Sequence, residues 1–158
     1  MKVLVLGCGR VGARLAGMLD AEGHDVRVID QNSDAFQRLP ATFRGATIVG
    51  QGIDDETLIQ SGIEGADVFA AVTNDDNTNI MASEIAKIVH SVPKVITRIY
   101  DPVREETFHT LGLETVCPTT LGAELVSRML TNAERQVPMV NRSDEQTRDT
   151  IISRETRS

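Results

Sequence analysis

At 158 residues the chain has room for one domain and a short appendage, not for a cofactor domain joined to a separate substrate domain. Hydrophobic residues make up 41% and charged residues 25%, the balance of a soluble globular protein with a single core. A net charge of −7, with 3% aromatic residues and no Trp, opposes capture of a nucleic-acid backbone and leaves few stacking platforms.

From the N-terminus, short apolar runs predict strands over 3–6, 25–29, 46–49, 68–72, 94–99 and 114–116. Helical spacing predicts helices over 10–22, 33–39, 54–61, 77–90, 102–111 and 120–132. The first helix carries Val11, Leu15, Met18 and Leu19 on one face, and Pro40 ends the second. The fourth helix carries Ile80, Met81, Ile85, Ile88 and Val89. Strands of this kind alternating with helices imply a parallel sheet with right-handed crossovers. The expected fold class is therefore α/β: a doubly wound, Rossmann-like sheet of six strands in the order 3-2-1-4-5-6, with helices on both faces.

The first strand runs into Gly7-Cys8-Gly9-Arg10-Val11-Gly12, a G-x-G-x-x-G that opens the first helix. Gly7 permits the tight turn, Gly9 lets a phosphate approach the backbone with no Cβ in the way, and Gly12 lets helix and strand pack. The helix N-terminus adds unpaired N–H groups and a partial positive charge. Asp30 ends the second strand 18 residues beyond Gly12, close to the spacing of the dinucleotide fingerprint, and Gln31 follows it. A carboxylate there can accept both hydroxyls of an adenosine ribose and repels a 2′-phosphate, so NAD or an adenine nucleotide is expected over NADP.

Other strand ends point to the same crevice. Gly50-Gln51-Gly52 follows the third strand, where the amide of Gln51 and the bare Gly52 suit an adenine, and Thr73-Asn74-Asp75 follows the fourth. Arg98 ends the fifth, and with Arg10 it is a candidate for phosphate oxygens. Three simpler roles compete: Asp30 as a turn residue before Ser33, 73–76 as a cap for the next helix, and Arg98 as the partner of a nearby acid.

The only imidazoles are His24, His90 and His109, and none stands beside a nucleophile or a spaced metal partner. Cys8 and Cys117 match no metal spacing and are expected to be buried thiols. No catalytic set and no metal are therefore expected. The fingerprint alone keeps one alternative open, a small NAD-dependent oxidoreductase or the cofactor-binding half of one. No apolar run approaches the ~20 residues that span a bilayer, and no secretory leader is visible, so a cytoplasmic location is expected.

Residues 1–12, with Val28-Ile29-Asp30, Val49-Gly50-Gln51-Gly52, Ala71-Val72-Thr73-Asn74-Asp75-Asp76-Asn77 and Thr97-Arg98-Ile99-Tyr100, resemble the N-terminal nucleotide-binding domain of the RCK family, also called KTN or TrkA-N. The resemblance covers about 1–132. It implies a cytoplasmic regulatory subunit of a potassium uptake channel or transporter, which binds NAD/NADH or ATP/ADP and passes ligand state to a membrane subunit. It further implies a homo-oligomer, a dimer or larger ring, held at the inner face of the cell membrane through that protein partner. Gly7, Gly9, Arg10 and Gly12 would lie around the phosphates, Asp30 at the ribose and Gln51 near the adenine, with Cys8, Val11, Gln31 and Gly52 beside them also expected to bind the cofactor. Thr73, Asn74 and Arg98 would line the phosphate or second-nucleoside side. The helix over 120–132 would be the crossover helix against a neighbouring subunit. Over 133–158 the chain carries ten charged residues and one apolar pair, Ile151 and Ile152, and is expected to be a polar tail or exposed helix without the C-terminal regulatory subdomain.

Overall fold

A computed structural model describes residues 1–131. The chain divides into two compact units, Met1–Glu124 and Leu125–Ser158, and the segment expected to be a tail lies outside the described residues. The first unit holds a single sheet in the order β3-β2-β1-β4-β5-β6, all strands parallel, as the alternation of elements predicts. The strands are β1 (Lys2–Leu6), β2 (Asp25–Asp30), β3 (Ala46–Val49), β4 (Val68–Ala71), β5 (Lys94–Arg98) and β6 (Glu114–Val116). The helices are α1 (Arg10–Ala21), α2 (Asp55–Gln60), α3 (Asp76–Glu84), α4 (Pro102–Thr110) and α5 (Pro118–Leu130).

Both faces of the sheet are covered, and β1 shows why its apolar run is unbroken. Alternate side chains of a strand point to opposite faces. Val3 and Val5 join a core with Ala13 and Ala16 of α1, Val26 and Val28. Leu4 and Leu6 join a second core with Ile29, Leu58 of α2, Phe69 and Ala82 of α3. The edge strand β3 differs, since Val49 is largely exposed and only Ile48 packs inward.

Three elements depart from expectation. Of the predicted face of α1, Leu15 and Leu19 pack against the core, but Val11 and Met18 face solvent and the fully buried positions are Gly12, Ala13 and Ala16. Small residues let the helix axis approach the sheet, so bulk is displaced from the contact line. The same holds for α3, which buries Asn79, Ala82 and Ser83 and leaves Met81 exposed. The helix predicted over 77–90 also breaks at Glu84 into a π-helical turn, Ile85–Val89, which exposes Ile88 and Val89 and sets His90 against Asp55 at 2.7 Å. The short helix after β2 is a 3₁₀ turn, Ser33–Arg38, with Asn32 as its N-cap accepting from the Asp34 amide at 3.0 Å.

Candidate functional site

The tight turn after β1 brings the Gly7 amide to the Ile29 carbonyl at 2.8 Å and puts Gly7 at φ +99°, a backbone region that favours glycine. Gly12 is required for a different reason: a Cβ there would meet the Gly7 carbonyl oxygen at 1.8 Å. Gly9 is unlike both. Its backbone angles are ordinary, and a Cβ would meet nothing within 4 Å. The protein's own packing does not demand glycine at 9. Gly9 is also the N-cap of α1 and offers no side-chain cap, and no acid occupies the first turn, so the leading amides are left to an anion.

Asp30 stands beside this loop. One carboxylate oxygen accepts the Cys8 amide at 2.7 Å and the other accepts the Asn32 amide at 2.9 Å. Each oxygen keeps a lone pair, enough for a ribose hydroxyl. The turn role and the ribose role of Asp30 are thus compatible, and the helix cap is Asn32 instead.

These features open on a cleft of about 720 Å³ at the carboxyl ends of the strands, a volume in the usual range of small-molecule sites. Of the predicted site residues, Gly7, Gly9, Arg10, Val11, Asp30, Gln31, Gln51, Gly52, Thr73, Asn74 and Arg98 line it. Cys8 and Gly12 do not: Cys8 is fully buried beneath the loop and Gly12 is pressed against the Gly7 carbonyl. Burial, followed by the charge of Asp30, raises the Cys8 thiol above its ordinary pKa, against a smaller opposing effect of Arg38. Gly52 is needed for packing, since a Cβ would meet the Leu6 side chain at 2.2 Å.

Among the described residues Arg98 pairs with no acid. Its guanidinium donates to the Val72 and Thr73 carbonyls at 3.3 and 3.4 Å, lies 4.6 Å from the Tyr100 ring centroid, and leaves a buried Nε–H without a partner. Asp75 does cap α3, accepting from the Thr78 amide at 2.7 Å. Arg38 and Tyr100 also line the cleft, and both escaped sequence reasoning. Arg38 lies beyond the fingerprint at the end of the 3₁₀ turn, and Tyr100 lies against the Arg98 guanidinium.

None of the three histidines lines the cleft. His24 faces Glu22 at 3.6 Å, His90 faces Asp55, and His109 lies on α4 at 3.5 Å from Thr115. Among the described residues no cluster of His, Cys, Asp or Glu is arranged to hold a metal, and no helix is long and apolar enough to cross a membrane.

The chain matches the TrkA-N domain over residues 3–119. It belongs to the TrkA-N family. A TrkA-N relative, the Trk system potassium uptake protein TrkA of Streptomyces coelicolor, is 43% identical over 130 residues, which cover 82% of this chain and 58% of the relative. The chain thus spans little more than half of that protein's length. Two solved structures, GsuK bound to ADP and the GsuK channel bound to NAD, superpose with TM-scores of 0.70 at 25% identity. Each covers 84% of this TrkA-N chain, which matches 34% of the first and 23% of the second.

Proposed function

We propose that this TrkA-N domain is the nucleotide-sensing part of a cytoplasmic regulatory subunit of a potassium uptake system. The observation that carries the reading is the open cradle at Gly9, flanked by the uncapped start of α1 and by the carboxylate of Asp30. An adenine nucleotide fits this donor and acceptor set: phosphates at the bare amides, a ribose diol at Asp30, and an adenine beside Gln51. The buried, incompletely bonded Arg98 supplies a cation on the phosphate side. NAD/NADH and ATP/ADP share these parts, and the printed names of the GsuK structures, with ADP and with NAD, support both.

A regulatory role is favoured over catalysis because no imidazole lines the cleft and neither of the two buried thiols, Cys8 and Cys117, lines it. The name of the Streptomyces relative, a potassium uptake protein, supports potassium uptake as the setting, and the GsuK channel neighbour supports a membrane subunit as partner. The α5 helix exposes Leu121, Leu125, Val126, Met129 and Leu130, an apolar row that suits a second copy of the chain. Regulation then needs a nucleotide that binds one arrangement of the assembly better than another and shifts the balance by that difference.

Calorimetric titration with NAD⁺, NADH, ATP and ADP tests binding, and potassium uptake by the cognate membrane subunit, with and without this protein, tests regulation. Binding of at least one nucleotide and a change in uptake are expected. Identical uptake at every nucleotide condition would sink the regulatory reading.

A further inference from the structure

Asn79 sits near the start of α3, fully buried, with its carboxamide used to capacity. Its Oδ1 accepts the Thr73 amide at 2.9 Å and the Thr73 hydroxyl at 2.7 Å. Its Nδ2 donates to the Thr73 carbonyl at 3.1 Å and to the Arg98 carbonyl at 2.9 Å. Four bonds are what an Asn side chain can make. Their placement is the telling part. The β4–β5 pairing ends at Ala71 and Thr97, one residue before Arg98. Beyond that pair the Asn79 carboxamide joins the two chain segments where the backbone ladder has stopped.

What it joins is one lip of the cleft. The Thr73 amide lies 2.9 Å from where a Cβ on Gly7 would stand, so this segment borders the phosphate loop. The Thr73 carbonyl that Asn79 holds is also one of the two acceptors on which the Arg98 guanidinium rests. We infer that Asn79 is a positioning residue that sets the Thr73 and Arg98 segments so that the Arg98 cation is presented to the phosphates of a bound nucleotide. The inference rests on the nucleotide reading above and names the part of the ligand concerned: the phosphates, not the nucleoside.

A merely structural Asn79 would affect every ligand alike, so the test compares ADP with adenosine by calorimetry. The wild-type protein is expected to bind ADP more tightly than adenosine. Asn79→Asp keeps the acceptors and loses both donors; it is expected to weaken ADP about tenfold or more and to leave adenosine within about twofold. In an Arg98→Ala background the same substitution is expected to change ADP affinity by no more than about twofold, because its route to the phosphates is gone. Equal weakening of both ligands, or an undiminished effect without Arg98, overturns the inference alone. Absence of ADP binding to wild type overturns the nucleotide reading and the inference with it. Asn79→Ser serves where Asn79→Asp does not fold, and failure of both to fold makes Asn79 a structural residue and ends the proposal.

Discussion

The carboxylate of Asp30 accepts the Cys8 amide at 2.7 Å, tying the end of β2 to the glycine loop after β1. One side chain thereby sets the loop and keeps lone pairs for a ligand. Asp30→Ala removes both functions. Nucleotide affinity is expected to fall about tenfold to a hundredfold, the usual range for loss of a hydrogen bond to a charged group. Calorimetry on the purified variant checks this, and unchanged affinity would mean that Asp30 serves the turn alone.

The glycines of the loop should separate by substitution. Gly12→Ala places a Cβ 1.8 Å from the Gly7 carbonyl and is expected to destabilise the domain by about 1–3 kcal/mol, as overpacking does. Gly9→Ala meets no protein atom and should cost at most about 1 kcal/mol, the penalty of alanine at a helix N-cap. Nucleotide binding is nevertheless expected to suffer in Gly9→Ala. Thermal melts beside titrations distinguish the two, and an intact nucleotide site in Gly9→Ala would contradict the role assigned to the cradle.

Two helix caps give the domain an acid-sensitive component. Hydrogen bonds from Thr57, side chain first and then backbone, hold the Asp54 carboxyl below its ordinary value near 3.8. Bonds from Thr78, backbone first, do the same for Asp75. Folded-state values below unfolded ones mean that both acids stabilise the fold above the unfolded value. That contribution is lost as pH falls through the folded one. Asn also caps helices but does not titrate here. The double variant Asp54→Asn, Asp75→Asn is therefore expected to lose less stability than wild type between about pH 5 and pH 2. Denaturant melts across that window provide the measurement, and parallel pH profiles would refute the assignment.

Cys8 should be inert despite its place in the loop. It is fully buried, and its thiol is held protonated chiefly by that burial and then by Asp30. Iodoacetamide at about pH 8 is expected to leave Cys8 unmodified in the native protein and to label it in denaturant. Rapid native labelling, read by mass spectrometry of the peptide that carries it, would require an opening of the loop that this geometry does not contain.

Much of the architecture was legible in the order of residues. The glycine loop and the acid at the end of β2 follow from local runs and fixed spacing, and the parallel sheet and its strand order from the doubly wound class that the repeated βα alternation implies. The packing faces of α1 and α3 were legible only in part: Leu15, Leu19 and Ile85 pack against the cores as their spacing predicts, while Val11, Met18 and Met81 do not. Apolar periodicity selects large side chains, whereas close helix-to-sheet contact selects small ones such as Ala13, Ala16, Ala82 and Ser83. The π turn at Ile85–Val89 likewise leaves no periodic signal.

The site divides along the same line. Gly7, Gly9, Gly12 and Asp30 announce themselves, since their chemistry depends on neighbours close in the chain or on one characteristic interval. Arg98 announces itself too, by ending β5, but its carbonyl partners and those of Asn79 lie in distant segments, and Arg38 and Tyr100 are found only at the cleft. Arg98 rests on carbonyls 25 and 26 residues away, and Asn79 reaches its carbonyl from 19 residues away. A linear pattern carries interval and composition; which donor meets which acceptor at the open end of a sheet depends on where the strands stop pairing, and that is settled when the chain is packed.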